Sequence, residues 1–454
     1  MSGRSLFGTD GIRGVANIHP MTCEIAMSLG RAVTYYFQKN SKKDKRPLIL
    51  LGKDTRRSCY MLEQAFSAGV CSQGGQVILT GPLPTPGVAH VAKSLKADAG
   101  VVISASHNNY ADNGIKIFDG NGYKLPDEVE IELENMVLNP GLVPIQTGPD
   151  LGKARRLDEV TGRYIEHVKA TFDSRYDLEG MRVVLDCANG AAYKVAPTIF
   201  EELGAEVIVL ANHPDGTNIN DNCGSLHPNN CRDELLKNNA DIGVCLDGDA
   251  DRLVIVDSDG AVVDGDSLIG LFARFLLDTG KLKKGDTVVG TVMSNLGLQK
   301  YIEGLGLKFH RTKVGDRYII AHMRQEKGVF GGEPSGHIIF GDYSSTGDGT
   351  LAALKAIECM RYYQRPIKDL IGDVKLFPQV LRNVRVGSTP PIQNVPSIQK
   401  AMVVAQERMG DAGRILLRYS GTEPLLRIMV EGQCEQLVNE VALELEKIVK
   451  KELE

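Results

Sequence analysis

The sequence predicts an α/β protein. It comprises three similar domains with parallel or mixed sheets, then a smaller C-terminal α+β domain, arranged around a central cleft. Length is the first reason: 454 residues exceed what one core can organise and suit about three to four domains. The second is that short β-branched runs alternate with longer helical patterns, as in chains that build parallel sheets. The third is an internal repeat. "PLILLGKDTR", "GGQVILTGPLP" and "ADAGVVISASHNN" form one block. "MRVVLDCANG", "GAEVIVLANHPDG" and "ADIGVCLDGDADR" form a second, and "DTVVGTVMSN", "GLKFHRTKVGDR" and "KGVFGGEPSGH" a third.

Each block reads strand, helix, strand, helix, strand, and each third strand opens into a polar, Gly-rich loop. Ligands bind beyond the carboxyl ends of parallel strands, so the three loops are expected to face one cleft. The expected domains are 1–155, 156–258, 259–372 and 373–454. The last holds "GRILLRYSGTEPLLRIMVEG", two strands around a turn, and "EQLVNEVALELEKIVKKELE", with apolar residues at helical spacing. "VGSTPPIQNVPS" reads as a surface loop.

Composition narrows the function. A net charge of −5 does not indicate a nucleic-acid or anionic-membrane partner. No leader-like apolar stretch opens the chain, and "LIGLFARFLL" is too short to span a bilayer and carries Arg274. The nine cysteines form no CxxC pair and suit buried, reduced thiols in a cytoplasmic protein. "GDGTLA" imitates a dinucleotide fingerprint, but it follows a loop and reads better as a helix cap.

The chemistry concentrates in the loops. In "LDGDADR", Asp247, Asp249 and Asp251 lie two apart, and an extended backbone would align them on one side. Three neighbouring carboxylates repel unless a cation sits among them, and hard oxygen ligands suit Mg²⁺. The competing reading is a solvated Asp-rich turn. Ser106 in "SASHNN" fits a turn serine as well as a nucleophile. The repeat, however, places it where block two has its Asp loop. His107 beside it need not be its base, because adjacent strand residues point apart. "GGEPSGH" offers Glu333, Ser335 and His337 for hydroxyl recognition, or is a plain turn. "RYSGTEPLLR" sets Arg418, Ser420, Thr422 and Arg427 around Gly421 as an anion nest, or is a hairpin with surface arginines. "FGTDGIRG", with Thr9 and Arg13, is a weaker signal of the same kind.

Together these motifs, in this order along essentially the whole chain, resemble the α-D-phosphohexomutases. "FGTDGIRG", "SASHN" and "KVGDRY" resemble the branch that acts on glucosamine phosphates. The resemblance implies interconversion of glucosamine 6-phosphate and glucosamine 1-phosphate, feeding UDP-N-acetylglucosamine and cell-wall synthesis. It implies a phosphoserine at Ser106 and a glucosamine 1,6-bisphosphate intermediate that also activates the enzyme. Mg²⁺ would be held by Asp247, Asp249, Asp251 and the Ser106 phosphate. Glu333, Ser335 and Gly315 would contact the sugar, and Arg418, Ser420, Gly421, Thr422 and Arg427 its non-reacting phosphate. Lys116, Arg252, His337 and Arg13 are candidates for proton transfer or charge stabilisation. A homodimer is also expected, with neither nucleic acid nor membrane as partner. The alternatives are a phosphomannomutase/phosphoglucomutase of the same family, a Mg²⁺-dependent serine phosphatase, or a non-catalytic sugar-phosphate binder. Three positions depart from the family pattern: Asn109, Ala250 and Tyr419. Asn109, in place of proline, bears on the rigidity of the Ser106 loop.

Overall fold

A computed structural model describes residues 5–8, 10–40, 45–419 and 424–453. Four sheets follow one another along the chain. The first has seven strands, in the order Phe7–Gly8, Gly11–Val15, Asp112–Asp119, Ala99–Ile103, Leu48–Lys53, Gln76–Pro82 and Lys153–Arg156. The second has five: Val262–Val263, Leu253–Val256, Ile242–Leu246, Arg182–Asp186 and Glu206–Leu210. The third has four: Lys308–Thr312, Thr287–Thr291, Phe330–Gly332 and Ile338–Phe340. The fourth is antiparallel, with Leu425–Gly432 between Gln379–Arg385 and Gly413–Tyr419.

We call the units around these sheets domains I to IV. In the first three, the repeat appears as strand, helix, strand, helix, strand. The three block strands run parallel, as Leu48–Lys53 does with both Gln76–Pro82 and Ala99–Ile103. The third strand then turns back on itself. Ala99–Ile103 pairs antiparallel with Asp112–Asp119, Ile242–Leu246 with Leu253–Val256, and Phe330–Gly332 with Ile338–Phe340. The polar loop after each third strand is therefore the tip of a hairpin, and the sheets are mixed. Both ends of each tip are anchored in a buried sheet, which gives a loop of reactive residues a rigid base.

One apolar cluster continues from the helical face of domain I through domains II and III, joining Val88, Phe200 and Phe272, for example. Domain IV has its own core, built from its sheet and the helices Pro396–Met409 and Glu435–Leu453. "LIGLFARFLL" lies in the buried helix Gly265–Asp278, and among the described residues no helix is long and apolar enough to cross a membrane. Asp348 caps the helix Gly349–Tyr363 by accepting the Leu351 N–H, which accounts for "GDGTLA". All nine cysteines are free, but Cys434 is exposed and Cys23 and Cys71 are half-buried, so burial is not general.

Candidate active site

The Ser106 loop is held by charge and by backbone geometry. Ser104 Oγ donates to Asp54 Oδ2 at 2.6 Å and accepts the Ser106 N–H at 2.9 Å. Arg56 is fully buried. Its guanidinium pairs with Asp54 at 2.8 Å and donates to the carbonyls of Ser106 and Asn108, each at 2.9 Å, of Asp112 at 3.1 Å, and of Asn109. Asn220 of domain II donates to the Ser106 and Asn108 carbonyls at 2.9 and 3.0 Å. Each charge-assisted bond contributes on the order of 1.5–3 kcal/mol, so the loop is rigid without a proline at 109. This fixed backbone holds Ser106 at φ +53°, a left-handed conformation that a serine adopts only when its surroundings impose it.

That conformation aims Ser106 at the Asp loop. Its Oγ donates to Asp247 Oδ2 at 2.6 Å. Gly248 allows the approach, since a Cβ there would stand 2.5 Å from the Ser106 carbonyl oxygen. The turn also brings His107 Nδ1 to 3.3 Å from Ser106 Oγ, so the expectation that the two side chains diverge fails where the strand has ended. Burial, and then Arg252 and Arg13, push the His107 pKa down to about 4, leaving the ring neutral.

The three aspartates converge with ligand oxygens within 4.8 Å of one another. They do so through a turn, not through the extended alternation the spacing suggests. The Ala250 N–H bonds the Asp247 carbonyl at 3.0 Å, and Ala250 takes φ +56°. Thr85 Oγ1 and Lys116 Nζ donate to Asp249 Oδ2 at 2.6 and 2.8 Å, and Lys116 reaches Asp251 Oδ2 at 3.2 Å. Asp249 Oδ1 and Asp251 Oδ1 are buried with no hydrogen-bond partner among the described residues. Burial, then Asp251 and Asp249, raise the Asp247 pKa to about 8. Buried carboxylate oxygens without a hydrogen bond, beside a carboxyl that resists ionisation, are the signature of a cation site. The trio therefore fits a metal ion.

Around this centre, burial opposes the Lys116 charge, but Asp10, Asp249 and Asp251 hold its pKa well above the usual lysine range. Lys116 does not reach Ser106 Oγ. The Glu333 carboxylate accepts the Gly315 N–H at 2.9 Å, and Gly315, at φ +125°, opens the helix Asp316–Glu326. Ser335 is exposed at the hairpin tip. His337 lies between Asp251, 3.7 Å from Nδ1, and Asp316, 3.4 Å from Nε2. The Gly347 N–H points at the same Nε2 at 3.0 Å, which would suit a neutral ring. Two full charges outweigh one amide dipole: burial works against the imidazolium, but both carboxylates raise the His337 pKa to about 10. Ser106, Arg13, Arg252, Gly315, Glu333 and His337 line a single cleft of about 470 Å³ between domains I, II and III.

Arg418 and Arg427 lie outside this lining, on domain IV, directly opposite each other across two strands. Burial and then Arg427 lower the Arg418 pKa. Ser420, Gly421 and Thr422 lie outside the described residues, as does Thr9. Asp54, Arg56, Thr85 and Asn220, which hold the Ser106 and Asp loops, carry no motif that singles them out in the sequence. Nor does any motif single out Asp10, Lys124 or Asp316 in the cleft wall. The first pair shows only an Asp-x-Arg at a strand end, in "KDTR".

Known proteins share this plan. Family models described as phosphoglucomutase/phosphomannomutase domains I, II and III, each alpha/beta/alpha, match residues 4–141, 162–260 and 264–377. The model of the C-terminal domain matches 381–448. Phosphoglucosamine mutase of Pelobacter propionicus is 50% identical over 451 residues, 99% of both chains. A phosphoglucomutase/phosphomannomutase family protein from Burkholderia thailandensis superposes with a TM-score of 0.81 at 24% identity, over 98% of this chain and 97% of its own. The N-acetylphosphoglucosamine mutase of Aspergillus fumigatus, solved with GlcNAc-6P and magnesium, gives 0.70 at 17%, over 98% and 96%. With half its residues identical to such a relative end to end, and all four domain models matched in order, the chain belongs to the α-D-phosphohexomutase family.

Proposed function

We propose that this protein is a phosphoglucosamine mutase of the cytoplasm, interconverting glucosamine 6-phosphate and glucosamine 1-phosphate. The carrying observation is Ser106 Oγ, fixed 2.6 Å from a buried aspartate trio in a chain 50% identical to phosphoglucosamine mutases. Ser106 is the phosphoryl carrier. Its P–O bond breaks as the phosphoryl group passes to the free hydroxyl of the sugar monophosphate, which gives up its proton. The product is glucosamine 1,6-bisphosphate and a free serine. After the sugar turns over, the other phosphate returns to Ser106, which loses its hydroxyl proton as the sugar oxygen gains one.

Phosphoryl transfer asks for positioning and charge neutralisation more than covalent help. Asp247, Asp249 and Asp251, with the phosphate carried on Ser106, would hold the metal, which we take to be Mg²⁺, the ion in the Aspergillus structure. When bound, it neutralises charge on the transferring group. A phosphoserine adds about −1.5 to −2 charge, which Arg13, Arg252, Lys116 and His337 help to balance. Glu333, Ser335 and Gly315 orient the sugar. Arg418, Ser420, Gly421, Thr422 and Arg427 hold the phosphate that is not reacting.

Incubation with Mg²⁺, glucosamine 6-phosphate and a trace of the bisphosphate should yield glucosamine 1-phosphate by ³¹P NMR. Faster turnover of mannose or glucose phosphates in competition would move the protein to the other branch. Inorganic phosphate in excess of isomer would make it a phosphatase.

A further inference from the structure

Six charged side chains close a ring around the wall of the cleft. Asp10 Oδ2 lies 3.3 Å from Lys116 Nζ, which lies 3.2 Å from Asp251 Oδ2. Asp251 Oδ1 is 3.7 Å from His337 Nδ1, and His337 Nε2 is 3.4 Å from Asp316 Oδ2. Asp316 Oδ1 is 2.7 Å from Lys124 Nζ, and Lys124 closes on Asp10 Oδ1 at 2.5 Å. The signs alternate all the way round. Domain I supplies Asp10, Lys116 and Lys124, domain II Asp251, and domain III Asp316 and His337.

The proposed mechanism uses only half of this ring. Lys116 is shared among Asp10, Asp249 and Asp251. His337 is shared between Asp251 and Asp316. Asp10 and Asp316 therefore compete with the metal-binding trio for the same two side chains. Lys124 sits between those competitors, with its side chain only 7% exposed, and takes one oxygen of each. Asp10 Oδ2, which faces Lys116, also pairs with Arg13. Were Lys124 removed, Asp10 would draw harder on Lys116 and Arg13, and Asp316 would draw harder on His337. At separations near 3 Å in a buried site, such imbalances are strong enough to move side chains.

We propose that Lys124, with Asp10 and Asp316, is a positioning device for phosphoryl transfer: by occupying both outer carboxylates it keeps Lys116 and His337 on the metal-binding aspartates. This rests on the mutase reading above. It is distinct from simple tethering, because domains I and III are tied a second time outside the ring. There Arg317 pairs with Glu130 at 2.8 Å and with Asp127.

The test compares Lys124→Met, Lys124→Gln, Lys124→Arg and Arg317→Met in the full chain. A displacement of about 1 Å at the reacting groups costs on the order of 10²-fold, so Lys124→Met should lower kcat by about 10- to 100-fold, with KM within about threefold. Lys124→Arg should recover most of that loss. Arg317→Met should leave kcat within about threefold of the parent. Amide hydrogen exchange, which needs no turnover, should quicken over residues 247–252 and 333–337 in Lys124→Met and not in Arg317→Met. Lys124→Gln, neutral but still able to hydrogen-bond, takes the place of Lys124→Met if that variant does not fold. The proposal is overturned if the neutral variants keep parental kcat and exchange, or if Arg317→Met loses as much as they do. If the unmodified protein isomerises no hexosamine phosphate, the mutase reading falls instead. The exchange experiment then decides the ring, and unchanged exchange overturns it.

Discussion

The cleft wall and the arginine pair of domain IV handle charge in opposite ways. In the cleft, Asp247, Asp249, Asp251, Lys116 and His337 are all buried, and their placement is over-determined by neighbours from three domains. On domain IV, Arg418 and Arg427 face each other across the strands Gly413–Tyr419 and Leu425–Gly432, a like-charge pair at close range. Like charges directly opposite each other across two strands repel. The contrast separates two tasks. In the mutase reading proposed above, the cleft charges, already held in place by one another, serve the transition state. In the same reading, the arginine pair serves to bind the non-reacting phosphate.

Removing Ser106, the carrier in the mutase reading, tests that division most severely. Ser106→Ala should lower kcat on the order of 10⁴-fold or more, because no other described hydroxyl shares its contact with Asp247. Intact-mass analysis of the wild type should show one phosphate that this variant lacks. A phosphate retained by the active variant would move the carrier elsewhere and dissolve the comparison. On the other side, Arg427→Ala should raise KM on the order of 10- to 100-fold and change kcat much less. A loss confined to kcat would place domain IV in the chemistry.

The same two regions show what a sequence reveals. Ser106 and the Asp loop were legible because reactive residues ended predicted strands in a repeated pattern, and strand ends are where parallel sheets place ligands. Even so, the reason given for convergence was wrong. The aspartates meet through a turn with left-handed Ala250, which the spacing could not show. His107 was misjudged for a related reason, since strand alternation stops at Ile103. The other half of the ring, Asp10, Lys124 and Asp316, is invisible in principle. Lys124 meets Asp10 across 114 residues and Asp316 across 192, and no local pattern encodes such pairings. Arg56 lies in the quoted "KDTR", yet its partners Ser106 and Asn108 are 50 and 52 residues away.

A smaller effect separates cleft from solvent through pH. Burial and the two neighbouring aspartates raise the Asp247 carboxyl from its ordinary 3.8 to about 8 when no metal is bound. A raised carboxyl binds its proton more tightly folded than unfolded. Its contribution to stability is therefore full below about 4 and is lost as pH rises toward 8. The slope is at most about 1.4 kcal/mol per pH unit. A metal must displace that proton, so Mg²⁺ affinity should rise up to about tenfold per pH unit between 6 and 8. Calorimetric titration at pH 6, 7 and 8 measures this. A flat affinity would mean that Asp247 is ionised without metal, and the cleft less preorganised than its geometry indicates.

The finest test concerns two neighbours in the Asp loop. Gly248 cannot accept a side chain, because its Cβ would meet the Ser106 carbonyl at 2.5 Å and Asn220 Nδ2 at 2.9 Å. Ala250 does carry one, fully buried, at φ +56°. Replacing it with glycine relieves a left-handed alanine, which costs about 1–2 kcal/mol. Against this stand a lost buried methyl, about 0.8 kcal/mol, and a more flexible unfolded chain, about 0.4–1 kcal/mol. The three nearly cancel, so Ala250→Gly should change unfolding free energy in urea by less than about 1 kcal/mol in either direction. A larger loss would mean that the buried Ala250 methyl holds the turn that brings the carboxylates together. A larger gain would mean that the loop stores strain, as Ser106 at φ +53° does across from it.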